Sequence, residues 1–171
     1  NRVRSMALIH ERLYRAVDLA SIDLAEYVQT LANFLFASYA SANRAIALQT
    51  DIEPLSISVE HAVPCGLILN ELITNALKYA FPQGGTGIIG VELKMLGEGR
   101  VMLRIWDNGV GLPPSVDPHQ SETLGLTIVT TLARQLRGEL SVQRGGGTEF
   151  TIAFVASSAK TKTAQPISKR E

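Results

Sequence analysis

Asn70-Glu71-Leu72-Ile73-Thr74-Asn75-Ala76-Leu77-Lys78-Tyr79-Ala80 is the stretch from which the rest of the chain can be read. At about 100° of rotation per residue, Leu69, Leu72, Ile73, Ala76, Leu77 and Ala80 form one apolar stripe, as on a helix buried against a sheet. Glu71, Asn75, Lys78 and Tyr79 fall on the other side within a sector of roughly 100°. A carboxylate, an amide, an ammonium and a phenol therefore share one face. The amide oxygen of Asn75 can ligate a hard cation such as magnesium. Glu71, one turn earlier, can accept a proton or orient an attacking group. Lys78 can neutralise phosphate charge, and Tyr79 offers a flat ring and a hydroxyl. Taken alone the same residues would suit a solvated helix face, so the segments around them must decide.

Working outward, this helix is expected to start near Ala62 or Pro64 and to stop at Phe81-Pro82 and the glycines Gly84, Gly85 and Gly87. Two β-branched runs follow, at 90–96 and 101–106, joined by Gly97-Glu98-Gly99. A polar, proline-rich loop covers 107–123, a helix 124–136, and a hairpin 139–144 with 149–155 turns at 145–147. Upstream, 45–52 alternates as a strand, and a short strand is expected at 56–59. A helix over 24–41 begins after Ser21 or Asp23 as N-cap. Residues 3–15 read as a helix with Met6, Ile9, Leu13 and Ala16 at three- and four-residue steps, suited to helix–helix packing. Hairpins mixed with helices, rather than strict alternation, imply an α+β class. The expected architecture is a two-layer α/β sandwich, a mixed sheet covered on one face by helices, with an N-terminal helical segment. The expected division is a helical segment at 1–20, the main α+β domain at 21–156, and a disordered tail at 157–171.

Asp107-Asn108-Gly109-Val110-Gly111-Leu112-Pro113 follows an apolar strand directly. A carboxylate at a strand end is a natural acceptor for the exocyclic amino group of a purine, and Gly109 and Gly111 let backbone approach a flat ring. Pro113, Pro114, Pro118 and the polar residues up to Thr123 look like a flap rather than a tight hairpin. Gly125 and Leu126 then open a helix whose free N–H groups favour phosphate. In Gly145-Gly146-Gly147-Thr148-Glu149-Phe150, Gly147 permits close approach and Thr148 supplies a hydroxyl. There is no GxxxxGK[ST] phosphate loop and no GxGxxG after a first strand.

Composition excludes several classes. Of 171 residues, 46% are hydrophobic and 19% charged, which argues for a globular chain, and 16 acidic residues balance 16 basic ones, so nucleic acid is a poor partner. Cys65, the single cysteine, has no partner for a disulfide or a zinc site, which fits a reducing, cytoplasmic compartment and a packing role. No apolar run reaches the roughly 18 residues of a membrane span, and no signal peptide is evident. The first residue is Asn rather than Met, so the chain is expected to be part of a longer protein, whose other parts could anchor it to a membrane.

In this order, NELITNALKYAF (70–81), DNGVGLP (107–113), LGLTIV (124–129) and GGGTEF (145–150) resemble the four nucleotide-binding boxes of the GHKL, or Bergerat-fold, ATPases. Within that superfamily they are similar to sensor histidine kinases, with Lys78-Tyr79 matching that branch; the likeness covers about residues 45–155. Ser121 and Thr123 stand where further glycines usually precede LGL. The resemblance implies ATP and Mg2+ as cofactors, Asn75 as magnesium ligand, and Glu71 as general base or its equivalent. It implies contacts from Lys78 to phosphate, from Tyr79 to adenine or ribose, and from Asp107 to the adenine amino group, with Gly109, Gly111, Gly125, Leu126, Gly147 and Thr148 completing the pocket. Residues 2–15 look like the second helix of a dimerisation and phosphoacceptor hairpin. The acceptor histidine is then expected upstream of residue 1, and none of His10, His61 and His119 is expected to be phosphorylated. The implied partners are a response regulator and a second copy of the full protein. The alternatives are a serine kinase of the same fold, like the anti-sigma factors, and a non-catalytic nucleotide-binding module.

Overall fold

The computed structural model describes residues 21–39, 45–82, 85–117, 123–156 and 159–161. The expected helix at 3–15, His10 and His119 lie outside them.

A five-stranded mixed sheet forms one layer. Its strands are β2 (Ile46–Ile52), β4 (Gly87–Met95), β5 (Arg100–Asp107), β7 (Thr148–Val155) and β6 (Glu139–Arg144), in that spatial order. The β2–β4 pair is parallel and the others antiparallel. Alternation assigns the two faces. Ile89, Val91 and Leu93 of β4, Val101, Leu103 and Ile105 of β5, and Phe150, Ile152 and Phe154 of β7 are buried beneath the helices. The residues between them face away and carry an ion-pair ladder across the strands. Lys94 meets Asp51 at 2.6 Å, and Arg104 lies 3.3 Å from both Glu92 and Glu149. Gly90 sits on that outer face because the Trp106 indole covers the place of its missing side chain.

The second layer comprises α1 (Leu24–Tyr39), α2 (Val59–Asn75) and α3 (Leu124–Gln135). Asp23 caps α1, its Oδ1 accepting the Glu26 N–H at 3.0 Å, and Leu24, Val28, Leu31, Ala32 and Leu35 bury its inner stripe. The helix α2 begins at Val59, earlier than Pro64 suggested. Ser58 O accepts the N–H groups of His61 and Ala62 at 3.1 Å, so the first turn is closed before the proline, which then forfeits a single backbone bond. That early turn also shortens the preceding strand, β3, to Leu55–Ile57. Cys65 is fully buried on α2, and burial pushes its thiol pKa up to about 12, the packing role expected of it.

Two elements were not anticipated. Ile22–Asp23 (β1) and Lys160–Thr161 (β8) flank β3 in a small antiparallel sheet. The expectation of an unstructured tail from Ser157 therefore fails at Lys160–Thr161: polar composition hid a strand held by pairing to Leu55 and Ser56 rather than by its own burial.

Candidate functional site

The helix α2 widens after Asn75 into a π-helical turn, Ala76–Ala80, where a continuous α-helix was expected. Leu69, Leu72, Ile73, Ala76, Leu77 and Ala80 are all buried, as the stripe requires. The polar face divides in two. Glu71 is buried and Asn75 half-buried, whereas Lys78 and Tyr79 are exposed.

The Asp107 turn locks onto that widened end. Ala80 O accepts the Val110 N–H at 2.9 Å, and the space that a Cβ on Gly109 would need is taken by the Ala80 carbonyl. Asn108 ties the turn to β4, its Oδ1 accepting the Ile88 N–H at 2.7 Å. The close approach made by Gly109 is thus to protein backbone, not to the open cavity. Gly147 behaves likewise: at φ +124° its Cα faces the Asp107 carbonyl, and any side chain there would collide with it. Both glycines were expected at the surface of the pocket; they hold its walls together instead.

Between α2, the ends of β5 and β7, the 110–116 loop and the start of α3 lies a cavity of about 570 Å³. This falls in the usual range for small-ligand sites. Of the residues singled out from sequence, Asn75, Tyr79, Asp107, Gly111, Gly125, Leu126 and Thr148 line it, while Glu71, Lys78, Gly109 and Gly147 do not. Glu71 stands just behind Gly125: a Cβ there would lie 3.0 Å from Glu71 Oε2 and 3.4 Å from Asn75 Nδ2. Gly125 thereby lets the N-terminus of α3 approach both polar side chains of α2. The floor is apolar, formed by Leu72, Ala76, Ile105 and Phe150, with Leu112 and Val116 in the loop wall. Ile105 and Phe150 were not singled out from sequence: alternation sets Ile105 on the face of Asp107, but its pairing with Phe150 comes from the register of the fold. Val116 carried no signal.

Asp107 is the carboxylate of the cavity lining. Burial raises its pKa, opposed by hydrogen bonds from the backbone N–H groups of Gly109, at 2.9 Å, and Thr148. A carboxylate at the edge of an apolar slot, held by two backbone donors, has the chemistry to accept N–H groups of a flat ligand.

A family model described as histidine kinase-, DNA gyrase B- and HSP90-like ATPase matches residues 60–158, more than half of the chain. The chain belongs to that family. A second model, described as histidine kinase, matches residues 1–39 and so takes in α1. Blue-light-activated histidine kinase 2 of Erythrobacter litoralis is 29% identical over 92% of this chain and 47% of its own length. Sensor histidine kinase PdtaS of Mycobacterium tuberculosis is 28% identical over 88% of this chain and 30% of its own. The chain thus spans less than half the length of either relative. The solved histidine kinase domain of an E. litoralis blue-light activated histidine kinase superposes with a TM-score of 0.82 at 27% identity, covering 91% of this chain and 73% of that one. This ATPase domain is accordingly homologous to the ATP-binding domains of sensor histidine kinases, as the four boxes implied, and its α+β sandwich is theirs. No helix among the described residues is long and apolar enough to cross a membrane.

Proposed function

We propose that this domain binds Mg–ATP in the cavity beside α2 and, in the full protein, donates the γ-phosphoryl to a histidine upstream of residue 1. A response regulator would be the next acceptor, and the full protein would act in the cytoplasm as a homodimer through its N-terminal helices. The observation that carries this reading is the meeting of three unlike chemistries in one cavity. Asp107 presents a carboxylate beside an apolar floor, suited to an adenine ring with its amino group. Asn75 brings an amide to the same cavity, and Glu71 lies behind Gly125. The start of α3 brings the first backbone N–H groups of a helix, which its own ladder of hydrogen bonds does not use, to the cavity edge, where phosphate charge is favoured.

The donor set fits magnesium: the Asn75 amide offers a hard oxygen, and magnesium keeps water and phosphate oxygens as its other ligands, so one protein ligand suffices. When bound, the cation would neutralise charge on the phosphates. The chain's own residues would position: Asp107 the base, Thr148 and Gly111 the slot around it, Tyr79 the exposed rim, and Lys78 the outer phosphate charge. Glu71, buried beside Asn75, would orient the attacking group.

The test uses the full protein with its upstream residues and γ-labelled ATP. The expected product is phosphoprotein labile to acid and stable to base, lost in Asn75→Asp. Acid-stable label on serine, or nucleotide binding without any transfer, would overturn the histidine-kinase assignment.

A further inference from the structure

At the cavity end of the sheet, three residues stand in one row across three strands: Asp107 on β5, Thr148 on β7 and Arg144 on β6. The first two belong to the proposed nucleotide site. Arg144 does not line the cavity, yet its guanidinium leaves the sheet and reaches the loop that does. Its Nη1 donates to the Pro113 carbonyl at 3.3 Å and its Nη2 to the Val116 carbonyl at 2.5 Å. The Val116 N–H also bonds to Pro113 O at 3.0 Å, so the guanidinium closes a compact turn over 113–116. Leu112, Pro113 and Val116 of this segment form one wall of the cavity.

We infer that Arg144 is a positioning residue for the nucleotide, bracing that wall against the sheet so that the slot beside Asp107 keeps its width. Two carbonyls three residues apart call for a planar fork with donors on separate nitrogens; an ammonium presents a single point charge. Residues 108–117 contain no helix or strand, and Leu112 and Val116 are partly buried where they pack against the core, so the guanidinium adds a tie from the sheet to the far end of this wall. The inference rests on the nucleotide reading of the cavity, and the experiment separates the two.

Arg144→Met and Arg144→Lys in this chain would be titrated calorimetrically with Mg2+ and a non-hydrolysable ATP analogue, beside the unaltered chain. The Met variant should bind about ten-fold more weakly, the worth of two exposed hydrogen bonds, and the Lys variant about three-fold. Without nucleotide, hydrogen exchange at the Val116 amide should quicken in Arg144→Met. Arg100→Met supplies the comparison: it loses an exposed pair with Glu139 at 2.7 Å, at the far end of β5, and should bind as the unaltered chain does. In the full kinase, Arg144→Met should raise KM for ATP and leave kcat unchanged. Equal affinity for Arg144→Met and the unaltered chain would overturn the inference and leave the nucleotide reading standing. So would equal weakening by Arg100→Met, since the effect would then be general. Failure of the unaltered chain to bind would overturn both.

Discussion

Gly145 and Gly147 form a matched pair on which the account of the pocket walls can be tested. Their φ angles are +123° and +124°, in a region that disfavours alanine at either position. That region is nearly confined to glycine, and occupying it costs about 1–3 kcal/mol. The surroundings differ. Nothing lies within 4 Å of a Cβ on Gly145, whereas a Cβ on Gly147 would collide with the Asp107 carbonyl and crowd the Asn108 backbone. Both obstacles are main chain, which cannot rotate away as a side-chain tip would. Relief requires parting β7 from β5 at the row that holds Asp107 and Thr148. Gly145→Ala should therefore lose about 2 kcal/mol from strain alone. Gly147→Ala should lose roughly 4 kcal/mol, adding an overpacking term of about 1–3 kcal/mol. For a domain of this size, each kcal/mol is worth about 2–4 °C in Tm. Thermal unfolding followed by circular dichroism should place Gly147→Ala roughly 4–8 °C below Gly145→Ala. Nucleotide affinity should fall only in Gly147→Ala. Equal melting temperatures and equal affinities would refute the claim that Gly147 is required by its contact with Asp107 rather than by turn geometry.

Two other outcomes follow from buried polar groups. Burial holds the Asp107 pKa above its unfolded value, so its contribution to stability is present below the unfolded pKa and is lost as pH rises through the folded one. Asp107→Asn should melt higher than the parent chain at pH 7, lose that advantage as pH falls through the carboxylate range, and bind ATP poorly at either pH. The Tyr27 hydroxyl is buried without a hydrogen-bond partner among the described residues, against Gly66 of α2. Tyr27→Phe removes an unsatisfied group and should raise stability to urea by about 1 kcal/mol; a loss of similar size would mean that the hydroxyl is bonded in solution.

Much of this architecture was legible because the signals agreed. The stripe from Leu69 to Ala80 fixed the buried face of α2, and the β-branched runs located β4 and β5, whose alternate residues the structure buries. Four short motifs in order pointed to the family, and the family model bears that out. What sequence could not supply was long-range contact. The motif glycines Gly109 and Gly147 read as surfaces for a ligand, but their neighbours are Ala80 and Asp107, brought together only by the fold. Glu71 read as part of an open face because nothing local shows that it is buried. Lys160–Thr161 escaped for the same reason, as its partner β3 lies about a hundred residues away. The widening of α2 at Ala76 also left no mark, since its residues suit an α-helix equally well.

The central claim is that ATP occupies the cavity between α2, the Asp107 turn and α3. Its most direct test is to titrate isotopically labelled chain with Mg–ATP and follow each backbone amide by NMR. The account predicts saturable shifts at Asp107, Gly111, Gly125, Leu126 and Thr148, with the outer sheet face around Arg104 and Lys94 unmoved. No shifts at millimolar nucleotide, or shifts centred on the outer face, would contradict it.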